Sequence, residues 1–269
     1  MTAGSIRLGS QGWNYPAWVG PFYPERTRPA DFLSTYARAF DTVEVDSTFY
    51  AVPAPKTVRG WAARTPDHFT FALKLPQEIT HERRFIDALD VADRFYESAR
   101  ELGHKLGPVL VQCGPDFAPD EAPALEAFLA SLPRDISFAI EFRQRGWIIE
   151  ETHALLSSHG VALALVDGRW IPRKWMLELA ARPTASHCYV RWMGPDRAIT
   201  DFSRLIVDRT RELEAWAEVL PALAVKVKVY GYVNNHFAGH SPGNVRLLQA
   251  MLGQTPKDPA DLKEQLGLF

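Results

Sequence analysis

Along this chain, short runs in which apolar and polar residues alternate take turns with longer stretches whose apolar positions recur every three or four residues. The clearest short run is TVEVDSTFY at 42–50. Strand side chains alternate with a period of two, so Val43 and Val45 share one face there while Glu44 and Asp46 share the other. Runs of this kind predict strands at 6–11, 42–47, 69–75, 109–113, 136–142, 161–167, 187–193 and 226–232. Helical spacing predicts helices at 29–40, 56–64, 83–103, 122–132, 148–159, 174–181, 209–220 and 244–252. Eight strands alternating with eight helices imply a parallel sheet and an α/β fold, a single (β/α)8 TIM barrel. An open doubly wound sheet is the competing architecture, but no GxGxxG follows the first strand. The expected boundaries are 1–253 for the barrel and 254–269 for a polar C-terminal surface extension.

A barrel strand packs its outward residues on helices, so the apolar parity faces out and the other parity faces the axis. This rule aims Arg7, Glu44, Asp46, Lys74, Glu141, Arg143, Arg191 and Lys228 at the axis, with Tyr189, Lys226, Tyr230 and Tyr232. Gln112 and Asp167 stand near the ends of the fourth and sixth strands. Charges are rarely buried without partners. Arg7, Glu44 and Lys228, on neighbouring or nearly neighbouring strands, read as a structural charge network. The other charges lie toward strand C-termini, the end at which barrel active sites assemble. Carboxylates mixed with cations in a cleft separate pKa values and supply acid–base pairs, although a paired core is the plain alternative.

Two long connections, 12–28 and 193–208, follow strands. A loop of more than about 12 residues in a compact domain is usually functional. The first carries Trp13, Tyr15 and Trp18, which line a pocket or simply plug the rim. Asn234, Asn235 and His236 follow the last strand, where barrels often seat anions, although Asn-Asn is also a turn signal. His81 follows the third strand as a candidate base or an exposed loop residue. Glu141, Asp167, His81 and His236 are the side chains a divalent metal would draw on, but no HxH, HExxH or CxxC spacing supports one. No motif for an organic cofactor occurs, and a phosphate-binding Gly-rich loop and a GxSxG elbow are absent.

Composition narrows the class. A net charge of −2 over 269 residues gives no global attraction to nucleic acid or membrane. The sequence has no apolar run long enough to span a bilayer, and MTAGSIRLGS lacks a signal-peptide core. Cys113 and Cys188 both fall in predicted strands. These features predict a cytoplasmic protein with reduced thiols and no membrane partner. Nothing in them sets an oligomeric state.

Six ordered motifs carry a family resemblance: GSQGWNYPAWVGPFYP, TVEVDSTFYAVP, FALKLPQEITH, GPVLVQCGPDF, IEFR at 140–143 with Trp147, and YVNNHFAGHSP. Over 6–252 the chain resembles the YecE-like family, labelled domain of unknown function 72, a set of (β/α)8 barrels. The resemblance implies a shared set of Trp13, Glu44, Phe49, Tyr50, Lys74, Thr80, His81, Gln112, Glu141, Arg143, Trp147, Arg191, Asn234 and Asn235. Ser10-Gln11 replaces the more usual Thr-Ser, Cys113-Gly114 the more usual Leu-Pro or Pro-Pro, and RWMGPDR the more usual RLHG. The missing His weakens a metal site built on that position. The family implies no established activity, and its likeness to endonuclease IV and sugar isomerase barrels is one of fold.

Three functions remain in view. The first is an enzyme acting on a small phosphorylated or carboxylated ligand at the C-terminal mouth. Lys74, Arg143 and Arg191 would hold the anion, Glu141 or Asp46 would serve as acid or base, and His81 would be a second proton carrier. Asn234, Asn235, Trp13, Tyr50 and Gln112 would complete the ligand site. The second is a metal-dependent phosphodiesterase or nuclease resembling endonuclease IV, which the acidic balance disfavours. The third is a ligand-binding barrel without catalysis.

Overall fold

The computed structural model describes residues 5–262. Its strands are β1 (Ile6–Ser10), β2 (Thr42–Val45), β3 (Thr70–Lys74), β4 (Leu106–Gln112), β5 (Phe138–Glu141), β6 (Ala162–Gly168), β7 (His187–Gly194) and β8 (Lys228–Val233). All paired neighbours are parallel, in the order β1-β8-β7-β6-β5-β4-β3-β2. Around them lie α1 (Phe32–Ala39), α2 (Pro55–Ala63), α3 (Leu89–Arg100), α4 (Ala122–Ala130), α5 (Glu150–His159), α6 (Arg173–Leu179), α7 (Thr210–Lys226), α8 (Asn235–Ala238) and α9 (Ser241–Met251). This is the α/β (β/α)8 TIM barrel that the alternation of strands and helices implies.

The two parities of the strands go to two cores. Outward residues such as Phe71, Leu73, Val111, Phe138, Ile140 and Val190 join the large cluster shared with the helices. A second cluster of Ala72, Leu110, Ala139, Ala162, Ala164, Val166, Tyr189 and Tyr232 fills the barrel. Four alanines on one side leave room for two tyrosines from the other. A barrel of eight strands is just wide enough to be filled in this way.

The seam between β1 and β2 closes without a regular ladder. An isolated bridge joins Gln11 to Glu44, and Gly12 N donates to Glu44 O at 2.7 Å. Below it, the Tyr36 hydroxyl from α1 accepts from Ser10 N at 2.8 Å and donates to Thr42 O at 3.1 Å. The strands approach so closely here that a Cβ on Gly9 would stand 2.0 Å from Thr42 O. Glycine is required by contact, not by dihedral angle.

Element ends depart most from the sequence expectation in two places. The predicted helix 83–103 begins only at Leu89. Before it comes a π-turn at Glu78–Glu82, and Arg84, Phe85 and Asp87 then hold φ of 49°, 69° and 48°. Ion pairs of Arg83 with Glu78 and of Arg84 with Asp116 and Glu121 tie down this left-handed stretch. At the other place α7 runs past its predicted end at 220 and takes in Pro221. Burial of Leu220, Leu223 and Ala224 offsets the lost backbone hydrogen bond. Strand β8 therefore starts at Lys228, and Lys226 donates to Ala181 O at 2.8 Å instead of facing the axis. Past the last helix, Gln254 donates to Ile6 O at 2.9 Å and Leu262 is buried. Residues 263–269 of the expected extension lie outside the described residues.

Two outcomes follow from these contacts. Gly9→Ala should lower the free energy of unfolding in urea by about 3 kcal/mol, since backbone must move to admit one methyl group. His187 is buried at the start of β7 with Nε2 donating to Phe138 O at 3.0 Å, and burial lowers its pKa to about 4. The unfolded chain takes up that proton near pH 6.5, so stability is complete above pH 6.5 and falls as the pH drops toward 4. The loss should approach about 3 kcal/mol and be absent in His187→Gln, as measured by urea titrations at pH 7, 5.5 and 4.

Candidate functional site

Five strands end in one polar floor. At its centre the buried Arg191 of β7 sets Nε and Nη2 on the two oxygens of Glu44 from β2, at 2.9 and 2.7 Å. Its remaining arm, Nη1, donates to Glu141 of β5. The Tyr189 hydroxyl donates to Glu44 at 2.7 Å. The other Glu141 oxygen accepts from Gln112 Nε2 of β4 at 3.0 Å and from Arg143 Nε at 3.1 Å. Lys74 of β3 lies 3.3 Å from both Gln112 Oε1 and Asp46 Oδ1, with its ammonium 4.4 Å from the centre of the Phe49 ring. Thr48 pins this corner, its hydroxyl donating to Lys74 O at 2.8 Å and accepting from Lys74 N at 2.9 Å.

Electrostatics divides the two glutamates. Burial pushes Glu141 up, but Arg191 and Arg143 more than reverse this and hold its pKa at about 2. Burial dominates at Glu44 and raises its pKa against the pull of Arg191. Burial also works against the Arg191 charge, and Glu141 and Glu44 overcome it. A carboxylate held near 2, with both oxygens committed, is a poor proton carrier at neutral pH. Both Glu141 oxygens are committed, one to Arg191 and the other to Gln112 and Arg143.

His81 sits beside the floor on the π-turn. Its Nδ1 is 2.8 Å from Thr80 Oγ1 and its ring stands edge-on to Phe49 at 5.1 Å. Burial, Arg143 and Lys74 all lower its pKa, so it is neutral at pH 7. Rare π-turns concentrate at functional positions.

Over the floor opens a cavity of about 250 Å³. Asp46, Glu141 and Arg143 form its base, Arg169 and Trp170 come from the turn after β6, and Arg197 and Phe202 from the long connection after β7. Tyr15, Asn234, Asn235 and His236 form another wall, and Met193 and Asp196 also line the cavity. Arg169 lies 4.1 Å over the Trp170 ring and Arg143 5.8 Å from it. Among the described residues, Arg169 and Arg197 have no ion-pair partner, and the one partner of Arg143 is already shared with Arg191. Gly194 allows the two upper loops to meet, since at its φ of 78° a Cβ would stand 2.4 Å from His236 O. Asn234 accepts from His236 N at 2.8 Å and caps the short α8.

The structure thus gathers Glu44, Asp46, Lys74, Gln112, Glu141, Arg143 and Arg191, with Asn234 and Asn235 on the wall and His81 alongside. Other expected members stand elsewhere. Arg7 donates to His68 O at 2.6 Å, and Lys228 is exposed at the start of β8, so the expected Arg7–Glu44–Lys228 network does not form. Glu44 pairs with Arg191 instead, because it sits higher along the barrel axis than those two. Trp13 packs edge-on against Trp61 and Phe71, and Tyr50 is 72% exposed; neither lines the cavity. Asp167 faces outward to Arg173 and Trp216, at 2.5 and 2.9 Å, and so leaves the expected metal set. No group of three or more His, Cys, Asp or Glu side chains among the described residues is placed to hold a metal ion. Arg169, Trp170, Arg197 and Phe202 escaped the sequence reading, although the length of the 193–208 connection pointed to that side.

No helix among the described residues is long and apolar enough to cross a membrane. The chain is 32% identical over 169 residues to the UPF0759 protein YecE of Escherichia coli K12, a match covering 61% of the chain and 60% of YecE. It is 27% identical to the UPF0759 protein YunF of Bacillus subtilis, over 92% of the chain and 94% of YunF. The crystal structure of a DUF72 family protein from Thermotoga maritima superposes with a TM-score of 0.78 at 25% identity, covering 93% of this chain and all of that one (100%). One from Enterococcus faecalis shares the fold with a TM-score of 0.74 at 21% identity, over 94% and 99% of the two chains. The family model described as "Protein of unknown function DUF72" matches residues 7–266, and the chain belongs to that family.

Proposed function

We propose that the barrel mouth binds a small phosphorylated or carboxylated ligand and acts on it by proton transfer. The observation that carries this reading is the set of three arginines, Arg143, Arg169 and Arg197, that line one cavity without a carboxylate of their own. Cations gathered in a concave, partly buried site focus field on an incoming anion. Arg143 leads. Glu141 holds its Nε, while its two terminal nitrogens have no hydrogen-bond partner among the described residues. A guanidinium anchored in this way offers a planar fork at little further entropic cost.

Proton transfer falls to Asp46 and His81 rather than to Glu141. Asp46 lines the cavity and keeps one oxygen on Lys74. His81 is neutral at pH 7 and can take a proton. A metal-dependent phosphodiesterase draws no support from a donor set that does not assemble, and a barrel that binds without turnover would share the arginines but make Asp46 dispensable.

Isothermal titration with inorganic phosphate should show binding that weakens with salt, and Arg143→Ala should reduce the affinity about tenfold, the worth of one charge-assisted hydrogen bond. The melting temperature should also fall modestly, because Arg143 helps to neutralise the buried Glu141, so the affinities are compared on the folded variant and the folded parent. Equal titrations for the variant and the parent would contradict the proposal.

A further inference from the structure

Thr80 on the π-turn is 1% exposed, and its hydroxyl has one hydrogen-bond partner among the described residues, Nδ1 of His81 at 2.8 Å. Two proton arrangements share that geometry. In one, Nδ1 carries the imidazole proton and donates, and the Thr80 hydroxyl proton is left without an acceptor. In the other, the hydroxyl donates to an unprotonated Nδ1 and no donor is stranded. A buried donor without an acceptor is costly, so the second arrangement holds. His81 is neutral at pH 7 and has a single N–H, which then stands on Nε2. That nitrogen has no partner among the described residues and retains surface open to solvent. The ring leans on Phe49, which the Lys74 ammonium also touches, and Arg143 is the strongest charge acting on it. His81 thus belongs to the same mouth as the anion-holding arginine.

Resting on the proton-transfer reading above, we infer that Thr80 is a positioning residue that holds His81 as the Nε2–H tautomer, and that the ligand is a phosphorylated carbonyl compound whose oxygen accepts from that N–H. This divides the two roles between Asp46 and His81. The lone pair with which a neutral imidazole takes a proton faces Thr80, and the side left open carries a donor. Asp46, with one oxygen on Lys74, is the group that receives. When it removes a proton from the carbon beside a carbonyl group, the C–H electron pair moves into a C=C bond and the carbonyl pair onto oxygen. A fixed N–H aimed at that oxygen stabilises the charge as it develops, a task to which a neutral imidazole is suited.

Long-range proton–nitrogen correlation NMR at neutral pH reads histidine tautomers directly, with His81 assigned by its loss in His81→Gln. In the parent chain His81 should show a protonated Nε2 and an unprotonated Nδ1. Thr80→Val keeps the side-chain shape without the hydroxyl and should draw the two nitrogen shifts together as the tautomers mix, while Thr80→Ser should restore the parent pattern. Phosphoglycolate, whose phosphate suits the arginines and whose carboxylate can only accept, should move the Nε2 signal. A protonated Nδ1 in the parent chain, or a Thr80→Val spectrum that keeps the parent tautomer, would overturn this inference and leave the anion site standing. So would phosphoglycolate that binds by isothermal titration without moving Nε2. Binding of neither phosphate nor phosphoglycolate would overturn the anion-binding reading and the ligand role of His81 with it. Should the Thr80 variants fail to fold, the spectra of the parent chain alone decide.

Discussion

One guanidinium, buried at the centre of the barrel and forked between two carboxylates, sets the terms for the rest of the molecule. Moving ions of this size out of water costs several kcal/mol each, and only close geometry and filled hydrogen-bond positions offset it. Arg191 meets both conditions, with Glu44 across two arms and Glu141 on the third. One cation against two anions leaves a negative excess, which Arg143 and Lys74 answer from the open side. The chemistry of the mouth is thus coupled to the core. The groups that neutralise the floor are those that face the cavity.

This arrangement depends on the layers beneath and the seam at the side. Alanines at 72, 139, 162 and 164 leave room in the lower interior for Tyr189 and Tyr232, and Tyr189 passes a hydrogen bond up to Glu44. The Gly9 and Tyr36 contacts draw β1 against β2, so that Glu44 is held by its backbone as well as by its side chain. A buried ionic cluster of this kind is weak evidence for stability and stronger evidence for a single defined arrangement of side chains.

Much of this was legible in the sequence. Strand period and helix period give the barrel, and the apolar parity of Val43 and Val45 or of Phe138 and Ile140 correctly turns Glu44 and Glu141 inward. Parity does not give height along the axis. For that reason Arg7 and Lys228 were expected beside Glu44, although they belong to the other end of the barrel. Asp167, named only for its place at a strand end, shares the parity of Leu163 and Leu165 and accordingly faces the helices. The arginines at 169 and 197 sit on loops, whose path over the mouth is set by tertiary contacts such as Gly194 against His236 and not by local pattern. The setting of the Asn235 amide is invisible to sequence altogether, since only the position of Ser241 fixes it.

The measurement that tests the account most directly is urea unfolding of Arg191→Met beside the triple variant Arg191→Met, Glu44→Gln, Glu141→Gln. Removing the cation alone strands two buried carboxylates and should cost about 3–5 kcal/mol, while neutralising all three should recover most of that loss. A cost below about 1 kcal/mol for the single variant, the level of a surface pair, would contradict the claim that this fork organises the barrel. So would a triple variant no more stable than the single one.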